Sequence, residues 1–306
     1  MSKEMERVLI PEWLHARRQV LRGCCYSALA CACGAFGAHG YASSLDLSEP
    51  SSAKQQPEAP SYSFKLASKI ERGTDCYTQG LLFEPGAEGS AGLLYESGGR
   101  YGLSVLRKYD AQSGKIDKQI KISSVYFAEG LAAVEDRLYL LTWRERTCLV
   151  YDKETFKKVD EFRYHGEGWG LAYDGTYLAM SDGTNTIRFL DPKTFRQKRS
   201  ISVHFINSSG RRQPINYLNE LEFVNGELWA NVYQQDYVVR IDPETGAMLG
   251  EALNFSTLVP KDLQNHPEYV LNGLAYDATT QRLFITGKCW PVIYVLNTTV
   301  KDVATE

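Results

Sequence analysis

Gln79, Glu129, Trp169, Asn219 and Asn272 share one recurrent setting: each stands directly before a Gly-Leu pair, or before Glu-Leu in the case of Asn219. A second recurrent position, at the end of the apolar segment that follows each of them, reads Gly98, Trp143, Asp182, Tyr233 and Lys288. Tyr77, Tyr126 and Phe127 lie just upstream of the first set. If these positions converge, they give aromatic walls, several amides, one or two carboxylates and one ammonium. Aromatic surface with a few convergent polar groups is the make-up of a small-molecule pocket. A lone carboxylate such as Glu129 in that setting has a raised pKa, because desolvation disfavours its charge. That tunes it for general acid/base work near neutral pH. A lysine that stays charged there, Lys288, can stabilise a developing oxyanion.

Convergence requires a repeating scaffold, and the sequence supplies one. The recurrent position comes back at intervals of 50, 40, 50 and 53 residues. Each return opens a short apolar strand, followed by a turn and a second strand at Leu93–Ser97, Leu138–Thr142, Tyr177–Ser181, Leu228–Val232 and Leu283–Gly287. Third strands follow, and most end in an aspartate turn such as Asp191-Pro192-Lys193-Thr194. Fourth strands are visible at Lys118–Ile122, Lys158–Arg163, Lys198–Val203 and Met248–Leu253. A period of about 40–50 residues built from short strands indicates propeller blades. The fifth repeat lacks a fourth strand, while Tyr62–Ile70 precedes the first repeat without a partner. Joining the two predicts an all-β, five-bladed β-propeller whose N-terminal strand completes the last blade and leaves no open edge. In that fold first strands line the channel, so the start of strand one and the end of strand two meet on one face.

Plainer readings stand beside these. Asn272 can serve only neighbouring backbone, Asp182 before Gly183 can make only a turn, and Trp143 and Trp169 can be blade-filling residues. Glu129 can bind backbone amides or a cation, and Lys288 can be a solvated loop residue. Charged residues at 23% and hydrophobic ones at 43% exclude a disordered, collagenous or multi-span membrane chain. A net charge of −3 argues against nucleic-acid binding. No GxSxG motif or phosphate loop is present. After the leader His165, His204 and His266 remain, with no pair at ligand spacing, so no cofactor or catalytic zinc is expected. A structural cation in the central channel stays open. The shortage of channel carboxylates counts against a metal-dependent propeller hydrolase such as a lactonase. A non-catalytic propeller that binds peptides or proteins is the remaining rival.

The N-terminal segment reads differently. Residues 1–42 hold Arg17-Arg18-Gln19-Val20-Leu21-Arg22, similar to a twin-arginine motif, then the uncharged Gly23–Ala38 and the small-x-small Gly40-Tyr41-Ala42. We expect 1–42 to be an export signal or anchor, giving a periplasmic or secreted protein with no membrane contact unless the leader is retained. Cys24, Cys25, Cys31 and Cys33 within it lack zinc-site spacing and read as weakly apolar filler, although Leu29-Ala30-Cys31 partly matches a lipobox. Residues 43–61, rich in Ser, Pro, Ala, Glu and Gln, make a flexible linker, and 62–306 the propeller, expected to be a monomer. Cys76 and Cys289 fall in adjacent blades of a closed ring, as a disulfide or, with Cys148, as free thiols.

From about Lys69 to Asn297 the chain resembles the plant-type glutaminyl cyclases, or glutamine cyclotransferases, a family also found in bacteria. The resemblance rests on Tyr77-Thr78-Gln79-Gly80-Leu81, Ala128-Glu129-Gly130-Leu131, Glu167-Gly168-Trp169-Gly170-Leu171, Leu218-Asn219-Glu220-Leu221-Glu222, Trp229-Ala230-Asn231-Val232 and Leu271-Asn272-Gly273-Leu274. It implies a five-bladed propeller that converts an N-terminal glutamine of peptides or proteins to pyroglutamate and releases ammonia. It further implies Glu129 as the catalytic glutamate, with Gln79, Phe127, Trp143, Trp169, Asn219 and Lys288 as pocket residues. Tyr77 stands where the family commonly has Phe, and Tyr233 where it commonly has Trp. Both keep an aromatic face, so they bear on substrate preference more than on activity.

Overall fold

A computed structural model describes residues 59–87, 90–264 and 266–301. The expected export segment, and the linker up to residue 58, lie outside the described residues. Strand β1 spans Ser61–Glu71. Blade 1 is built from β2 (Thr78–Glu84), β3 (Leu93–Gly98), β4 (Val105–Asp110) and β5 (Ile116–Lys121). Blade 2 takes β6 (Ala128–Val134), β7 (Arg137–Thr142), β8 (Thr147–Asp152) and β9 (Lys158–Arg163). Blade 3 takes β10 (Leu171–Tyr173), β11 (Leu178–Met180), β12 (Thr186–Leu190) and β13 (Gln197–Ser202). A hairpin of β14 (His204–Ile206) and β15 (Arg212–Pro214) follows. Blade 4 holds β16 (Leu218–Val224), β17 (Glu227–Val232), β18 (Tyr237–Ile241) and β19 (Leu253–Asn254). Blade 5 holds β20 (Leu271–Asp277), β21 (Arg282–Gly287) and β22 (Val292–Lys301), with β1 as its fourth strand.

The sequence of each strand matches its depth. The inner strands of blade 1, β2 to β4, are buried along most of their length, whereas β5 alternates exposed and half-buried residues. The outer strands β5, β9 and β13 are rich in Lys, Arg, Asp, Glu and Gln, which blunts their free edges against further strand addition. Hydrophobic clusters fill the spaces between successive blades. Trp229 and Trp290 are fully buried between blades 4 and 5, and Phe189 between blades 3 and 4. Asp110, Asp152, Asp191 and Asp242 cap the third-strand turns by accepting backbone N–H bonds from residues two or three further on.

The channel explains the glycine of the repeat. The first strands of blades 1, 2, 4 and 5 each carry a register shift at the recurrent position, between Thr78/Gly80, Ala128/Leu131, Leu218/Leu221 and Leu271/Leu274. In blade 3 the same irregularity leaves Trp169 outside β10, bonded through its N–H to the Ser181 carbonyl at 3.1 Å. Bulges of this kind turn a side chain away from the regular alternation. First strands also crowd one another there. A Cβ on Gly170 would lie 1.9 Å from the Asn219 carbonyl oxygen, and one on Gly130 would lie 2.5 Å from the Leu171 nitrogen. The one non-glycine member, Glu220, sends its carboxylate inward to the backbone N–H groups of Leu274 (2.9 Å) and Leu81 (3.4 Å). The channel carboxylate therefore has backbone donors on two neighbouring first strands.

Two elements differ from the sequence reading. The fourth strand of blade 4 was expected over Met248–Leu253, but β19 is only Leu253–Asn254. Met248 instead makes an isolated bridge to Ile241 while its N–H bonds the His204 carbonyl at 2.8 Å, and Gly250 turns the chain with a φ of 58°. The β14–β15 hairpin that supplies His204 has no counterpart in the other repeats.

The ring closes as the repeat count requires. β1 pairs antiparallel with β22 from Ser61↔Lys301 to Glu71↔Val292. Arg72 follows immediately and latches the seam. Its guanidinium is buried against Glu96 of β3, donates to Thr78 Oγ1 (2.9 Å) and the Gly287 carbonyl (2.9 Å), and donates through Nε to the Trp290 carbonyl (3.0 Å). Removing one partner of a buried ion pair leaves the other charge uncompensated, at a cost of about 3–5 kcal/mol. Arg72→Met is expected to lower stability in urea unfolding by about that amount, and Arg72→Met with Glu96→Leu to recover much of it. A single variant as stable as the parent would show that the seam does not depend on this pair.

Candidate active site

The bulged strand starts and second-strand ends meet in a cavity of about 250 Å³ at one end of the channel. Nine of the residues singled out in the sequence line it. Gln79, Glu129, Trp169 and Asn219 come from the first-strand position; Trp143, Tyr233 and Lys288 come from the second; Tyr77 and Phe127 come from just upstream. A tenth lining residue, Glu268, was not anticipated. It lies on the long connection between β19 and β20, which has no counterpart in the other repeats, so no column of the sequence could point to it.

Local backbone bonds set the second column. The N–H groups of Trp143, Tyr233 and Lys288 donate to the carbonyls of Phe127 (2.9 Å), Tyr217 (2.8 Å) and Val270 (2.9 Å). Each acceptor stands two residues before the recurrent position. The matching bond in blade 1 runs from Gly99 to Tyr77 (2.8 Å), so the blade-1 member of the column is Gly99 rather than Gly98. A Cβ on Gly99 would fall 2.2 Å from the Phe127 ring; its absence leaves room for that side of the wall. The wall comes in two runs: ring centroids are 6.3 Å apart for Tyr77–Phe127 and 5.5 Å for Phe127–Trp143 in one, and 5.7 Å for Trp169–Tyr233 in the other.

Two members of the recurrent columns take the plainer roles. Asn272 is buried away from the cavity, where its Nδ2 donates to the Thr78 carbonyl at 3.0 Å. Asp182 caps the turn at Thr184 (N at 3.1 Å, Oγ1 at 2.6 Å) and pairs with Arg188 at 3.4 Å. Neither lines the cavity.

Glu129, 5% exposed, accepts from Gln79 Nε2 at 3.1 Å. Burial pushes its carboxyl well above the usual carboxylate range; Lys288 pulls it down, and Glu167 and Glu145 push it further up. Lys288 is 3% exposed, and burial lowers its pKa to about 8, opposed by the charges of Glu129 and Glu268. Its Nζ sits between two aromatic faces, 4.7 Å from the Tyr77 ring centroid and 5.0 Å from that of Tyr233. Such faces favour a cation in a dry pocket. Tyr77 donates its hydroxyl to Glu268 Oε2 at 2.6 Å, and burial together with that bond holds the phenol protonated. Asn219 is buried with its side-chain oxygen unpartnered, leaving an acceptor free beside the cavity.

The site thus combines a raised-pKa carboxylate, a buried ammonium and a vacant amide acceptor behind aromatic walls. Cys76, Cys148 and Cys289 are buried free thiols, although the Cys289 N–H donates to the Cys76 carbonyl at 2.8 Å across the seam.

The chain also matches known proteins. A family model described as glutamine cyclotransferase matches residues 41–298. A glutaminyl-peptide cyclotransferase of Arabidopsis thaliana is 40% identical over 233 residues, covering 75% of this chain and 69% of its own length. The crystal structure of a Myxococcus xanthus glutaminyl cyclase superposes with a TM-score of 0.68 at 32% identity, covering 78% of this chain and 97% of that one. With a family match over most of its length and that degree of identity, the chain belongs to the glutamine cyclotransferase family.

Proposed function

We propose that this protein is a glutaminyl-peptide cyclotransferase that acts on peptides or proteins with an N-terminal glutamine. The observation that carries the reading is a buried, raised-pKa Glu129 beside a buried Lys288 in an aromatic cavity. The substrate brings its own nucleophile. Its α-amine attacks the γ-amide carbon, a C–N bond forms, the C–N bond to the amide nitrogen breaks, and ammonia leaves. Glu129 takes the proton from the amine and returns it to the departing nitrogen, so one group serves as base and then as acid. Gln79 holds that carboxylate through Oε1. Lys288 stabilises the oxyanion of the tetrahedral intermediate, and the free Asn219 acceptor receives an N–H of the substrate.

The flexible glutamine side chain must fold back on its amine, and Trp143, Trp169, Phe127, Tyr77 and Tyr233 hold that bend by shape. Orientation of this kind accounts for a large part of a cyclisation barrier. These protein groups complete the sequence of proton transfers, and no step calls for a metal or organic cofactor. The twin-arginine-like segment supports action after export.

In the full chain, Glu129→Gln is expected to reduce ammonia release from a synthetic N-terminal-glutamine peptide by roughly 10²–10⁴-fold with an unchanged melting curve. Near-parental turnover would remove Glu129 from the mechanism. The kcat/KM–pH profile, which reports the groups of the free enzyme, is expected to be bell-shaped. Its acid limb should lie above the ordinary carboxylate range, because Glu129 must be unprotonated to act as base and its pKa is raised. Its alkaline limb should fall near pH 8, where Lys288 loses its charge. Glu268→Gln removes a charge that favours the ammonium, so it should move the alkaline limb to lower pH. An alkaline limb that stays put in this variant would show that Lys288 does not set it.

A further inference from the structure

Two residues before the recurrent position, blades 1, 2 and 4 carry the aromatics Tyr77, Phe127 and Tyr217, and blade 5 carries Val270. Blade 3 carries Glu167 instead. Its carboxylate does not line the cavity but stands behind it. Trp143 Nε1 donates to Glu167 Oε2 at 2.7 Å, and Trp169 Nε1 donates to the same oxygen at 3.0 Å. The other oxygen, Oε1, accepts from Arg144 Nε at 3.2 Å, and the Arg144 guanidinium lies 3.8 Å from the Trp143 ring centroid. The two indoles come from different blades, and the only polar atom on each meets one shared acceptor.

We propose that Glu167 is a positioning residue that fixes the two cavity tryptophans of blades 2 and 3 at one mutual angle by accepting both indole N–H bonds. An indole has one donor and a flat face, so anchoring the donor sets the plane of the face. With both donors on one atom, neither ring can swing without breaking its bond or straining the other. The Arg144 contact fixes the carboxylate itself and covers the outer face of Trp143. A related arrangement in blade 4 shows the contrast. Glu227 accepts from Trp229 Nε1 at 2.9 Å and from Arg240 Nε at 2.8 Å, but there the indole is fully buried between blades and its carboxylate serves one tryptophan. At Glu167 the same chemistry has been moved to the mouth and doubled. The weight this gives to turnover rests on the cyclotransferase reading, because the two faces matter only if they hold a folded-back glutamine side chain; the clamp itself is independent of it.

The test uses the full chain labelled with ¹⁵N-tryptophan, with the parent, Glu167→Ala and Glu167→Gln. The Trp143 and Trp169 indole signals are assigned from single Trp→Phe variants, and those of Trp229 and Trp290 serve as internal controls. In Glu167→Ala both cavity signals should move together while both controls stay. Turnover of an N-terminal-glutamine peptide should fall roughly 10- to 100-fold, mainly in kcat, as misplacement of an orienting wall predicts. Glu167→Gln keeps an acceptor oxygen and should restore both signals and most of kcat. Movement of one cavity signal or neither in the alanine variant, or an unchanged kcat, would overturn the proposal. If the alanine variant fails to fold, the glutamine variant decides: parental signals with near-parental kcat support the clamp, and displaced signals or a low kcat in a folded protein refute it. Should the parent release no ammonia while both indole signals still respond as described, the clamp stands and the cyclotransferase reading fails.

Discussion

The buried latch at Arg72 is the interaction on which the rest of the molecule depends. A guanidinium with almost no exposure reaches Glu96 and Thr78 in blade 1 and the carbonyls of Gly287 and Trp290 in blade 5. Those last two carbonyls bracket Lys288, and Tyr77 lies five positions after the arginine itself. The ammonium and one of the rings it packs against therefore belong to opposite ends of the folded chain. They meet only because the seam is shut, and a planar, permanently charged fork suits four acceptors spread over two sheets better than a lysine would.

Inside the cavity, low dielectric gives each ionisable group a reason to need the other. Burial disfavours the charge on both Glu129 and Lys288, and each opposes that shift in its neighbour. Their titration is thus a property of the pair. Tyr77 joins this set: one ring contacts the ammonium, its hydroxyl bonds Glu268, and the Arg100 guanidinium lies 4.6 Å from the ring centroid. A phenylalanine there would keep the first contact and lose the second. Tyr233 presents its ring to the same ammonium. Both tyrosines keep the cation against an aromatic face, and Tyr77 ties the wall to a carboxylate at the rim.

The fold and most of the cavity were legible because the blade is a repeated physical solution. Every first strand must pass close to its neighbours at the axis, so glycine returns at one position and marks the register; where Glu220 breaks it, the side chain bonds backbone groups in the space the glycines leave. The residue before that glycine inherits the bulge, which is why Gln79, Glu129, Trp169 and Asn219 could be placed together from spacing alone. Spacing could not separate Asn272, which takes the same position but is buried behind the cavity, since the difference lies in the partners its amide finds, the Thr78 carbonyl and Gln79 Oε1. Glu268 was beyond reach because its loop occurs once. Glu167 was within reach, as the odd member of a column that is otherwise aromatic or apolar, but only the indole bonds say what it does. The fourth strand of blade 4 was misplaced because Met248 has two competing partners, one of them in a hairpin that the repeat does not contain.

The pairing of β1 with β22 has a consequence for how the molecule forms. These strands lie at opposite ends of the folded chain, so the last sheet is a contact of the highest possible sequence separation. Loop-closure entropy makes such contacts late and slow. In synthesis from the N-terminus β1 is made before β22, so it cannot take its final pairing until the last strand exists. Its exposed half carries Lys65, Ser68, Lys69 and Glu71, and charge on a waiting edge discourages capture by another chain. The cavity, which needs both ends of the chain, comes into being only at that final step, so turnover would report complete folding of this protein more faithfully than its strand content.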